Sequence, residues 1–199
     1  DVSEEHLLHQ AIQRHIKKIG IPDIVIANAG VSTGTLNGER EDLVTFKRMM
    51  DINLYGVMHT FLPFIHAFKK RKSGQLVGIA SVAGIRGLPG SGAYSASKAA
   101  LINYLESMRI EMLPFNIQVT TIAPGYIKTP MTHSNPYAMP FILEVDKAVT
   151  LFIKAIDQKK KFIIIPWQMN IVGKLMRLLP ASVWDFLAKR GPKKLRAMI

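Results

Sequence analysis

Apolar residues recur every three or four positions between residues 4 and 19, at Leu7, Leu8, Ala11, Ile12, Ile16 and Ile19, which predicts an amphipathic helix. Gly20 and Pro22 end it. Residues 41–72 read as a long second helix, kinked or locally opened at Pro63, with Lys69, Lys70, Arg71 and Lys72 at the negative end of its dipole. Short apolar runs at 75–80, 117–123 and 161–165 predict buried strands. Between the first two of these runs, the glycine-rich stretch 84–92 leads into a helix carrying the stripe Leu101, Leu105, Met108 and Met112. A loop over 126–141, with Pro130, Pro136 and Pro140, has the length of a lid or a disordered segment. A helix over 145–158 precedes the last strand. Beyond Pro166, Ile171, Val172, Leu175, Met176, Leu178 and Leu179 form an apolar face with Lys174 and Arg177 opposite, followed by Val183, Trp184, Phe186 and Leu187.

The candidate chemistry sits after the 75–80 strand. Tyr94 and Lys98 are four residues apart, so on a helix they share one face. A phenol near pKa 10 is a poor proton carrier at neutral pH, and a neighbouring ammonium is expected to lower it toward the working range. Ser81, thirteen positions before Tyr94, ends the 75–80 strand and can hydrogen-bond the same substrate oxygen. The sequence around it, Ile79-Ala80-Ser81-Val82-Ala83, lacks the glycines of a hydrolase elbow.

Together these residues resemble the short-chain dehydrogenase/reductase family. Ile24-Val25-Ile26-Ala27-Asn28-Ala29-Gly30 is similar to its fourth strand and Asn-Ala-Gly signature, with Ala27 in place of a frequent Asn. Asn53, in Asp51-Ile52-Asn53-Leu54-Tyr55-Gly56, falls where the family keeps the Asn of its Asn-Ser-Tyr-Lys tetrad. Val119-Thr120-Thr121-Ile122-Ala123-Pro124-Gly125 resembles the sixth strand and its Pro-Gly turn, with Thr129-Pro130 following. Asp1-Val2 resembles the end of the third strand. The family's opening strands and Gly-rich phosphate turn have no counterpart, so the chain is expected to be part of a protein about 50 to 60 residues longer. The resemblance implies an α/β fold, a doubly wound parallel sheet (Rossmann-like) in three αβα layers, with a catalytic domain over 1–166; beyond Pro166 the chain departs from the simplest members of the family, leaving a basic amphipathic extension over 167–199.

It also implies an NAD(P)-dependent oxidoreductase acting on a carbonyl or secondary alcohol, with NAD or NADP left open. The implied catalytic residues are Asn53, Ser81, Tyr94 and Lys98. Tyr94 exchanges the proton, Lys98 tunes it and holds the nicotinamide ribose, and Ser81 orients the substrate. Asn53 holds a relay water, or alternatively satisfies an irregular helical turn. Asp1 would reach the adenine, while Asn28, Ala29 and Gly30 pass the adenosine side. Pro124, Gly125, Ile127 and Thr129 hold the nicotinamide. The long helix and the Tyr94 helix would pack against their copies in a homodimer or homotetramer, unless the Leu101 stripe simply faces the sheet.

The net charge of +12 is uneven, since Lys174, Arg177, Lys189, Arg190, Lys193, Lys194 and Arg196 stand against Asp185 alone after Pro166. No nucleic-acid signature accompanies them, so no nucleic-acid partner is expected. The tail either packs on the protein or lies at an anionic membrane surface. Zero cysteines exclude disulfides and fit a cytoplasmic protein, and His6, His9 and His15 read as solvated, with no metal site expected. Ile85, Leu88 and Pro89, with Tyr126, Met131, Tyr137, Met139 and Phe141 of the lid, either point to a hydrophobic substrate between lid and tail or merely pack the lid. The alternatives are an inactive scaffold of the same fold and a peripheral membrane module.

Overall fold

The computed structural model describes residues 1–133, 135–189, 191 and 194–196. Four parallel strands, β1 (Ile24–Ala27), β2 (Gly74–Ile79), β3 (Ile117–Pro124) and β4 (Phe162–Ile165), lie side by side in chain order. Their register sets Ile24 opposite Gln75, Gly74 opposite Ile117 and Thr121 opposite Phe162. Parallel neighbours need long crossovers. Helices α2 (Asp42–Met50) and α3 (Gly56–Arg71) link β1 to β2, α4 (Gly92–Met112) links β2 to β3, and α6 (Val145–Asp157) links β3 to β4. A first helix, α1 (Glu5–Ile19), precedes β1, and the short α5 (Pro130–His133) lies inside the lid loop. Helices α7 (Trp167–Leu178) and α8 (Ala181–Ala188) follow the sheet.

Alternate residues of each strand point to opposite faces, and the core divides accordingly. Leu76, Ala80, Val119 and Ala123 pack with Phe61, Phe64 and Phe68 of α3 and Leu101 and Leu105 of α4. Val77, Ile122 and Ile165 pack with Ala148, Ala155 and Ile156 of α6. Burial on both faces is why these strands read as unbroken apolar runs. The three layers are complete over β2 to β4 only, because Ile24 and Ile26 of β1 stay exposed on the second face. Gln75, buried beneath α6, is satisfied by donating to Thr120 Oγ1 and the Ile156 carbonyl, each at 3.0 Å.

Asp1-Val2 leads into α1 through a turn closed by a hydrogen bond from Ser3 N to Asp1 Oδ1. Two expectations are corrected. The long helix opens at a π turn over Asp51–Tyr55, where Gly56 N bonds back to Asp51 O, and not at Pro63, which α3 accommodates in its interior. The lid loop is not structureless, since α5 interrupts it. The stripe Leu101, Leu105, Met108 and Met112 faces the sheet. α1 contributes only Ile12 and Ile16 to the core, leaving Leu7 and Ile19 exposed.

Helix α4 packs tightly on the sheet at Gly78, where any Cβ would run into the Leu105 side chain. Gly78→Ala should therefore lower the unfolding free energy by about 1–3 kcal/mol, measured by urea denaturation. The same change in a Leu105→Ala background should cost less than it does alone.

Candidate active site

Strand β2 ends at Ser81, whose Oγ accepts from Ala83 N at 3.1 Å and so caps a 3₁₀ turn over Val82–Gly84. The turn passes directly beneath α4. A Cβ at Gly84 would meet the Lys98 carbonyl group, so glycine is what lets the loop lie there. The loop returns to start α4, where Ala93 N donates to Thr35 Oγ1 and a bridge joins Thr35 to Ser91. Tyr94 and Lys98 then project from the first turns of α4 beside Ser81.

Lys98 is 4% exposed. Its ammonium donates to the Ile79 carbonyl at 2.8 Å and lies 6.0 Å from the centroid of the Tyr94 ring. Burial disfavours the charge and lowers its pKa from 10.5 to about 8. Burial also pushes the Tyr94 phenol above its usual range, and a hydrogen bond with Ser81 pulls it partly back. The expected lowering of Tyr94 by Lys98 is not realised in this state, because desolvation dominates both groups and the ammonium is turned to Ile79.

Asn53 is fully buried in the π turn. Its Oδ1 accepts from Val31 N at 2.8 Å, while Nδ2 donates to Val31 O at 2.9 Å and Ser97 Oγ at 3.0 Å. Ser97 in turn donates to the Tyr94 carbonyl at 2.9 Å. One amide thus ties the segment after β1 to the helix of Tyr94, leaving a single lone pair on Oδ1 for a water. Ser97, which carries this tie into α4, was not legible in the sequence.

A cavity of about 770 Å³ opens in front of these groups. It brings together Ser81, Tyr94 and Lys98 with Asn28, Ala29, Gly30, Pro124, Gly125, Ile127 and Thr129. Asn53 stands behind its wall, since a Cβ at Gly30 would lie 3.2 Å from Asn53 Oδ1 and 3.3 Å from Lys98 Nζ. Asp1 does not line the cavity, and its carboxylate pairs with Arg48 at 2.8 Å. The outer wall is apolar: Leu88 and Pro89 from the loop, Tyr126, Met131 and Tyr137 from the lid, and Met169, Val172, Met176, Trp184 and Leu187 from α7 and α8. Ile85, Met139 and Phe141 are not among its residues; Met139 instead accepts from Asn135 and Phe141 is exposed.

The segment after Pro166 therefore closes the site. Arg86 Nη1 donates to the carbonyls of Met176 at 2.6 Å and Leu179 at 2.7 Å, and its guanidinium lies 5.1 Å from the Trp184 ring centroid. Further along, Lys194 donates to Ser32 Oγ at 3.0 Å, Gly34 N donates to the Leu195 carbonyl at 2.9 Å, and Arg196 pairs with Asp42. Burial lowers the pKa of Lys194. No spacing pattern in the sequence announced Arg86 or Lys194 as part of this closure. Arg190 and Lys193 of the basic tail lie outside the described residues. Among the described residues no group of three or more metal-ligating side chains forms, and His6, His9 and His15 lie exposed on α1. No described helix is long and apolar enough to cross a membrane.

The parallel sheet, with Ser81, Tyr94 and Lys98 meeting at the carboxyl ends of its strands, has recognisable relatives. The short chain dehydrogenase family matches residues 1–139, and the chain belongs to that family. An uncharacterized oxidoreductase of Myxococcus xanthus (strain DK1622) is 36% identical over 190 residues, 96% of this chain and 75% of the relative. The crystallised 4-hydroxyisoleucine dehydrogenase complexed with NADH superposes with a TM-score of 0.69 at 28% identity, over 83% of this chain and 76% of that one. A short chain dehydrogenase from Burkholderia cenocepacia J2315 in complex with NADP shares the fold, with a TM-score of 0.81 at 22% identity over 94% of this chain and 76% of that one. The chain spans about half the length of several other curated relatives.

Two outcomes follow from the half-buried Arg86 and the buried Lys98. Arg86→Ala, which frees two carbonyls at the end of α7, should lower stability by about 2 kcal/mol and speed amide exchange in α7 and α8 ahead of β2 and β3. Lys98 sets a pH dependence in the ligand-free protein. Below about pH 8 both folded and unfolded chains hold its proton, and burial of the charge disfavours the fold. Between about 8 and 10.5 only the unfolded chain holds it, so this contribution to stability rises with pH. Denaturation of wild type and Lys98→Met from pH 7 to 10 should show wild type gaining on the variant, by up to about 3 kcal/mol.

Proposed function

We propose that the protein is an NAD(P)-dependent oxidoreductase that interconverts a carbonyl compound and its secondary alcohol, with NAD or NADP as cofactor and Tyr94 as the general acid and base. The observation that carries this reading is the convergence of Ser81, Tyr94 and Lys98 on one cavity wall. The cavity fits a dinucleotide end. At Gly30 the backbone comes within a side chain's width of Lys98, and the Lys98 ammonium uses one of its three protons on Ile79, leaving two aimed at hydroxyl acceptors. Pro124, Gly125, Ile127 and Thr129 would hold the nicotinamide, with Asn28 and Ala29 on the adenosine side.

The bound cofactor supplies hydride transfer at nicotinamide C4. The chain supplies everything around it. Ser81 Oγ donates to the substrate oxygen and fixes it beside Tyr94 Oη. Tyr94 gives its proton to that oxygen as the carbonyl carbon gains hydride, or takes it back in the reverse direction, so one hydride and one proton balance each turnover. Lys98 would bind ribose hydroxyls through the two protons that Ile79 does not take, and would favour the phenolate by its charge. Asn53 is a positioning residue, holding Val31 and, through Ser97, the Tyr94 turn. The apolar outer wall supports a hydrophobic substrate, meeting the enzyme between lid and C-terminal helices. Exposed Leu62, Ile110 and Leu113, on and next to α3 and α4, support a homodimer or homotetramer built on those helices.

Tyr94→Phe should cut kcat about 10²- to 10⁴-fold in a nicotinamide absorbance assay while leaving the cofactor Kd nearly unchanged. Unchanged turnover would remove the assignment. Across a ketone panel, kcat/KM should rise with apolar chain length or ring number, at about 25 cal/mol per Å² of buried apolar surface. Equal or higher values for short polar ketones would contradict the hydrophobic pocket.

A further inference from the structure

Helix α7 has two apolar faces, and only one of them is used. Met169, Val172, Gly173 and Met176 turn inward; Gly173 abuts Ile85 and Ile164, and the three larger side chains line the cavity. On the opposite side Trp167, Ile171, Leu175 and Leu178 follow at helical spacing and remain 69%, 51%, 56% and 79% exposed. Lys174 and Arg177 flank this stripe, both exposed, and α7 contains no acidic residue. Helix α8 adds exposed Val183 and Leu187, and Leu187 also lines the cavity.

We propose that this outer face of α7 and α8 docks the protein on an anionic lipid surface, with α7 lying in the plane of the interface. The stripe asks for an apolar partner and its basic flank for a negative one. A second copy of this chain meets the first demand but not the second, since a two-fold contact between identical faces sets Lys174 and Arg177 against their own copies. An anionic bilayer meets both, taking the apolar side chains into the acyl boundary and the cations at the headgroups. The charge of the chain, +12 in total, favours the approach. Because α7 and α8 also wall the cavity, docking sets the apolar cavity beside the lipid. The surface goes beyond the proposed reaction and is independent of it, as binding to vesicles requires no turnover.

Co-sedimentation of the full chain with vesicles tests it. One set is phosphatidylcholine, the other phosphatidylcholine with about one third phosphatidylglycerol. The expected result is binding to the anionic set, much weaker binding to the neutral set, and loss of binding as salt is raised. Trp167 emission should shift to the blue on binding, and Trp167→Phe should lose the shift. Each basic side chain at an anionic surface strengthens binding about fivefold, so Lys174→Gln with Arg177→Gln should weaken it about 25-fold. Leu175→Asp with Leu178→Asp should abolish it. None of these four residues lines the cavity, so circular dichroism and activity on a soluble ketone should stay unchanged. If the Asp pair fails to fold, the Gln pair decides alone. Absence of wild-type binding to the anionic vesicles overturns the proposal, as does binding that the folded variants retain. A wild-type dimer that the Asp pair dissolves, without vesicle binding, would assign the face to a second copy.

Discussion

A lysine ammonium held out of water against one carbonyl is the constraint around which the site is built. Burying such a charge is unfavourable unless its donors are met, and among the described residues Lys98 meets one acceptor, the Ile79 carbonyl at the end of β2. The arrangement persists because α4 is pinned from several sides. Gly84 lets the loop after β2 slide beneath it, Leu105 fits against Gly78, and Leu101 and Leu105 are fully buried on the sheet. The helix cannot withdraw to solvate Lys98 without opening this face of the core.

The second tie is the Asn53 amide. A π turn inserts one extra residue into the helix after β1, and Asn53 at that point reaches both polar groups of Val31 and the Ser97 hydroxyl. Strand end, crossover helix and the helix of Tyr94 are thereby fixed to one another through a single side chain. The outer wall follows a different logic. Arg86 fastens the loop after β2 to the end of α7, so the apolar cap and the polar site meet along one shared seam.

Much of this was legible from residues whose roles are local. Strands buried on both faces show as unbroken apolar runs, and the Tyr94-Lys98 spacing by itself places both groups on one helix face. The bounds of β2 and α6 fall within a residue or two of the expected ones. What escaped depends on tertiary partners. Pro63 carries a strong local signal for a kink, yet the helix opens at Asp51–Tyr55, where Asn53 has buried partners to reach. Lys98 does not lower Tyr94 as the spacing suggests, because spacing fixes proximity and not solvation: burial raises the Tyr94 pKa and lowers that of Lys98. Arg86 and Lys194 find their partners about 90 and 160 residues away in sequence, at separations that no periodicity encodes.

The Lys98 ammonium is a partly satisfied cation, and in the proposed function its remaining protons go to hydroxyl acceptors of a nicotinamide dinucleotide. Its titration is the direct test. With ¹³C-labelled lysine side chains and Lys98→Met for assignment, NMR should place the Lys98 pKa near 8 in the free protein, and saturating reduced cofactor should raise it as ribose oxygens accept the remaining protons. A pKa near 10.5 in the free protein, or one that cofactor leaves unmoved, would contradict the account.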